Sequence, residues 1–134
     1  MVEPLILIST FAVQEGKREG LARFSEDLAA FLEANEPRLL HFTQYLSADG
    51  TEMANIQIHP DAASLAFHLQ VVRERMAQAF AFLGPAKGFQ VYGAPDPAYV
   101  EQLRRMAGPD VPVVVKAKFA GFNRLPETGR APSA

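Results

Sequence analysis

The chain has three histidines, and His68 is the one whose setting best suits chemistry. It stands beside Leu65, Leu69, Val72, Met76 and Phe80, which recur at spacings of three and four and so mark one apolar stripe of a helix. A neutral imidazole at the edge of such a stripe can act as a general base or orient a phenolic oxygen, because its ordinary pKa lies near working pH. The competing reading is a helix-edge histidine that is only hydrogen-bonded or solvated. His59-Pro60-Asp61 invites a metal reading. One histidine with one carboxylate falls short of a three-ligand open site, however, and a strand end followed by a helix cap explains the triplet, so no metal is expected.

A second constellation lies on alternating strand positions: His41, Thr43 and Tyr45 on one strand, Asn55, Gln57 and His59 on the next. Antiparallel pairing of the two is expected to bring both polar rows onto one sheet face, the face without helices. As a site, that row would form a polar cavity in which Tyr45 and Asn55 orient a substrate near His68, with His41, His59, Phe67 and Val72 as binding residues. The alternative is a hydrated interface or a solvent-facing row. Arg73, Glu74 and Arg75 are read as the solvated side of the helix. Lys116 and Lys118 are read as guards of a sheet edge.

Composition narrows the classes. The 134 residues, 49% of them hydrophobic and ten of them Phe, suit one domain with a substantial core. The absence of cysteine removes disulfides, thiolate catalysis and Cys-ligated metal centres. A net charge of −2 with interspersed signs offers no basic stripe for nucleic acid. The run PLILISTFAV is too short to span a bilayer and lacks a basic leader or a small-residue cleavage site, so a soluble, cytoplasmic protein is expected.

The elements that must position these residues follow in order. Pro4–Val13 is apolar on both faces, the pattern of a central strand. Leu21, Phe24, Leu28, Phe31 and Leu32 predict a helix to about Ala34, stopped before Pro37. A strand over about Leu39–Ser47 turns at Asp49-Gly50 into a second strand, Met53–His59. Asp61 caps the helix that carries His68, which runs to about Leu83, and Gly88–Gly93 is a short fourth strand. This β-α-β-β-α-β order predicts an α+β, ferredoxin-like antiparallel sheet with helices on one face. Asp96-Pro97 then opens a third helix, closed at Gly108-Pro109. Val111–Phe122 reads as a fifth strand with Val113, Val115 and Phe119 on one side. Residues 1–126 are expected to form a single domain, with a disordered tail over 127–134.

The strand-to-helix run Phe11-Ala12-Val13-Gln14-Glu15-Gly16-Lys17, the Asp49-Gly50 hairpin, and His59-Pro60-Asp61-Ala62 leading to His68 together resemble the dimeric α/β-barrel superfamily. Its best-known branch is the antibiotic biosynthesis monooxygenases, and the resemblance spans roughly residues 5–93. It implies a homodimer and a menu of activities: cofactor-independent quinone-forming monooxygenases, haem degraders, small isomerases and proteins of unassigned role. The chain has no Trp and offers Ser9 and Thr10 where an early Asn is sought, so only His68 carries over by position and haem degradation is disfavoured. What the resemblance implies is a monooxygenase-like protein acting on a phenolic or enolic substrate without metal or flavin, with His68 as base. The alternatives are a non-catalytic, dimeric ligand-binding or stress-related protein and an isomerase on the same fold. Expected partners are a second copy of the chain and a small hydrophobic or aromatic ligand, with neither nucleic acid nor membrane.

Overall fold

The computed structural model describes residues 3–125. The strand apolar on both faces, β1 (Leu5–Val13), lies inside the sheet, flanked antiparallel by β3 (Glu52–His59) and β4 (Leu83–Tyr92). β2 (His41–Leu46) pairs antiparallel with the outer edge of β3, and β5 (Val113–Lys116) pairs parallel with β4, giving the order β2-β3-β1-β4-β5. The sheet is therefore mixed and open, with edges at β2 and β5. Over the first four strands its order is that of the ferredoxin-like fold expected from the element sequence.

Three helices lie on one face: α1 (Arg18–Asn35), α2 (Ala62–Ala79) and α3 (Pro97–Ala107). Leu28 and Leu32 of α1 pack with Val72 of α2, Leu65 of α2 packs on Leu5 and Leu7 of β1, and Leu103 of α3 packs on Phe89, Val91 and Val113. Local chemistry sets the helix starts. Asp61 accepts a hydrogen bond from the Ser64 amide at the head of α2, and Asp96 does the same from Ala98, with Pro97 in the first turn of α3. At the hairpin, Asp49 accepts from the Thr51 amide while Gly50 adopts φ 75°, a left-handed conformation that glycine takes without strain.

On the other face, Ile6 pairs with Ile58 and Ile8 with Ile56, so four isoleucines form a block that is only partly buried and that no described helix covers.

Two boundaries differ from the sequence reading. α2 stops at Ala79 and β4 starts at Leu83, taking Gly84 and Pro85 into the strand. Register shifts around Phe11 let β4 absorb a proline that cannot donate to the ladder. The Gln14 side-chain amide, donating to the Phe80 and Leu83 carbonyls, closes the turn that links α2 to β4. β5 is only four residues long, because its partner ends at Tyr92. Phe119, expected to share a buried row with Val113, is 101% exposed. The tail predicted for 127–134 lies outside the described residues. Among the described residues no helix is long and apolar enough to cross a membrane.

Candidate active site

His68 occupies the middle of α2 and is only 3% exposed. Glu36, which follows α1 where Pro37 halts it, is 4% exposed and faces the same imidazole. Its two carboxylate oxygens lie 2.9 and 2.8 Å from His68 Nδ1. Nδ1–H therefore donates to Glu36, and Nε2 has no hydrogen-bond partner among the described residues. The segment that carries Glu36 is pinned to the start of α2 by an ion pair between Arg38 and Asp61.

Behind this pair lies His59, fully buried at the end of β3, with its ring centroid 5.4 Å from that of His68. Burial, reinforced by the neighbouring His68, pushes its pKa down to about 3, so the ring is neutral at working pH. Nδ1 lies 2.9 Å from the Ser64 hydroxyl and Nε2 3.1 Å from the Gln57 side-chain oxygen. With that oxygen as acceptor, Nε2 carries the proton and Nδ1 accepts from Ser64.

The arrangement makes the fold acid-sensitive. Below about pH 6.5 an unfolded chain protonates this histidine while the folded one does not until about pH 3, so stability falls as pH falls through that window. Urea unfolding at pH 7 and pH 4 should show His59→Gln losing less stability on acidification than the parent, by about 2–3 kcal/mol. Equal losses in the two proteins would refute the assignment.

His68 borders a cavity of about 320 Å³ between the helix layer and the sheet. Its floor is a transverse polar row: Ser9 of β1 stands opposite Asn55 of β3, which stands opposite Gln44 of β2. The side-chain oxygens of Gln44 and Asn55 are buried without a hydrogen-bond partner among the described residues. Leu69, Val72 and Met76 of α2, Phe89 of β4 and Tyr99 of α3 supply apolar walls. Burial raises the Tyr99 hydroxyl pKa to about 12, so it stays protonated. Among the described residues no three His, Asp or Glu side chains converge in a way that could hold a metal ion.

The structure brings together only some of the residues singled out in the sequence. His68, Asn55 and Val72 line the cavity, and His59 supports it through Gln57. His41 and Tyr45 do not join them. In the observed register Gln44 faces Asn55, while His41 faces Ile58 and Tyr45 faces Ala54, so odd positions of β2 pair with even positions of β3. The polar row of β3 thus points under the helices, and that of β2 points to the opposite face, correcting the expectation that the two rows share the uncovered side. Tyr45 is 53% exposed there, and Phe67 is 48% exposed on the outer side of α2. Arg73 and Arg75, read as the solvated side of the helix, also border the cavity, Arg73 exposed and Arg75 half-buried. Sequence reasoning missed Glu36, Gln44 and Tyr99. Only Glu36 carried a signal, as an acidic residue at the point where a proline stops a helix.

No family model matches the chain, and no curated protein matches it. Solved structures do. MupZ from Pseudomonas fluorescens superposes with a TM-score of 0.65 at 21% identity, over 92% of this chain and 91% of that one. A candidate antibiotic biosynthesis monooxygenase from Caulobacter crescentus matches with a TM-score of 0.60 at 19% identity, over 67% of this chain and 88% of that one. Another from Chloroflexus aurantiacus matches with a TM-score of 0.53 at 12% identity, over 66% and 89%. The residues up to Gly93 make up only about two thirds of this chain, so the MupZ match must extend into α3 and β5. Identities this low establish the fold alone, and by that measure the chain shares the ferredoxin-like fold of these solved structures.

Proposed function

We propose that the protein is an acid–base enzyme of the monooxygenase-like kind, in which His68 removes a proton from a phenolic or enolic substrate held in the cavity. The observation that carries this reading is the buried Glu36–His68 pair, whose imidazole borders a ligand-sized space. Glu36 fixes the tautomer and stabilises the imidazolium that forms, the part a carboxylate plays toward a histidine base in hydrolytic triads. The unpaired side-chain oxygens of Asn55 and Gln44 are acceptors that can receive a hydrogen bond from a substrate hydroxyl and so orient it. Dioxygen would then accept electrons from the deprotonated carbon. One oxygen atom becomes the new carbonyl, the other leaves as water, and all the reducing electrons come from the substrate. A non-catalytic ligand carrier gives no reason to bury an imidazole–carboxylate pair, which is costly to desolvate, beside an apolar cavity. An isomerase would use the same proton abstraction and return the proton elsewhere.

Oxygen uptake over a panel of anthrones, naphthols and β-diketones tests this reading, with solvent deuterium exchange run on the same compounds. Uptake with quinone formation supports oxygenation. Exchange without uptake identifies an isomerase. Neither activity on any compound would count against the enzyme reading.

The proposed active form is a homodimer, supported by the uncovered block of Ile6, Ile8, Ile56 and Ile58. Light scattering should give about twice the 14.7 kDa chain mass, and Ile56→Lys should shift the protein to monomer. A parent protein that is monomeric at micromolar concentration would remove the paired-sheet arrangement.

A further inference from the structure

The cavity is lopsided in charge. Its lining includes Arg73 and Arg75 of α2 and no aspartate or glutamate, in a chain whose net charge is −2. Glu36, which contacts the cavity-lining His68, is already engaged by that imidazole. Arg75 is also engaged, its guanidinium lying 3.5 Å over the Phe31 ring of α1. Arg73 has no ion-pair or hydrogen-bond partner among the described residues.

Arg73 also sits where a ligand would pass. On α2 and its C-cap the positions Leu69, Arg73, Met76 and Phe80 recur at four, three and four and border the cavity; on α3 Gln102 and Met106, four apart, also border it. α2 packs closely along α1 rather than α3, which leaves a seam between α2 and α3. Phe80 and Met106 are about half exposed while also lining the cavity, as expected of an apolar rim. Arg73 is five positions past His68, about 7.5 Å along the helix axis.

We infer that this cavity takes an amphipathic carboxylate, with its apolar body between α2, α3 and the sheet and its anionic end on Arg73 at the mouth. The inference rests on reading the cavity as the substrate site, and it adds the class of substrate. An arginine fork matches a carboxylate in two parallel hydrogen bonds, and the neighbouring apolar surface strengthens the contact by excluding water. The acid's reactive carbon would then lie under Nε2 of His68, with its oxygen over Asn55.

Octanoate and octan-1-ol, matched in length and differing in charge, are suitable probes. Titrations of isotope-labelled full-length protein, followed by amide chemical shifts, should show octanoate binding about tenfold more tightly in low salt and perturbing Arg73, Met76, Gln102 and Met106. Added salt should shrink the preference. Arg73→Gln should abolish it and leave the alcohol's affinity unchanged. His68→Gln should retain it, so a failed acid–base mechanism and a failed carboxylate site give different results. Equal affinity for the two probes, a preference that survives Arg73→Gln, shifts confined to surfaces away from this seam, or no binding of either probe would each overturn the inference.

Discussion

Replacing His68 with glutamine should lower turnover of a phenolic or enolic substrate by about a hundredfold or more, the scale on which a positioned acid–base group acts. Glutamine is the informative replacement. Its amide can still donate to the Glu36 carboxylate that accepts from Nδ1 in the parent, so the buried acid keeps a partner and the fold is preserved. What it cannot do is accept and return a proton. His68→Ala removes the same function but also strands Glu36, so any loss of activity there is mixed with loss of stability. The expected signature of His68→Gln is a fall in kcat with little change in KM, because the apolar walls that bind the substrate are untouched. Turnover within about threefold of the parent would sink the assignment of His68 as base while leaving an enzyme in place.

The sequence carried the architecture well, and the reason is periodicity. β1 advertised its central place by being apolar on both faces, and the strand order follows from hairpin chemistry at Asp49-Gly50 and the capping of α2 by Asp61. The placement of the polar row was not legible, because a one-residue change of register exchanges the two faces of a strand. Ordinary patterning sends isoleucines toward the helices and amides toward water. Here Ile56 and Ile58 face away from the helices, while Asn55, Gln57 and His59 face them. This inversion bears on function: polar groups under the helix layer build the cavity floor, and the isoleucines turn to the other face, where a second copy of the chain can cover them.

α3 was legible as a helix from Asp96-Pro97 and Gly108, but its contribution to the cavity was not. Tyr99, Gln102 and Met106 reach the site only because α3 lies on the same face as α2, above the β4–β5 half of the sheet, a long-range placement that no local pattern encodes. Glu36 was hidden for a similar reason. It is separated from His68 by 32 positions in the chain, and the two meet because α1 packs along α2.

Glu36 is accordingly the residue whose replacement should cost the most stability. Glu36→Leu puts an apolar side chain of similar bulk just past the end of α1 and leaves His68 Nδ1–H in a buried site with no acceptor. Leaving a buried donor unsatisfied costs about 1–3 kcal/mol. Glu36→Gln should cost about 1 kcal/mol, since the amide oxygen still accepts from Nδ1–H and only the charge is lost. The two variants separate holding the ring from activating it. Glutamine at this position keeps the tautomer but cannot stabilise an imidazolium, so turnover should fall by about tenfold or more although the fold is nearly as stable as the parent. Urea unfolding of all three proteins at pH 7 measures the first effect, and rate measurements on the glutamine variant measure the second. A Glu36→Leu protein within about 0.5 kcal/mol of the parent would show that the pair contributes little to the fold. Unchanged turnover in Glu36→Gln would show that the Glu36 charge has no part in the proton transfer.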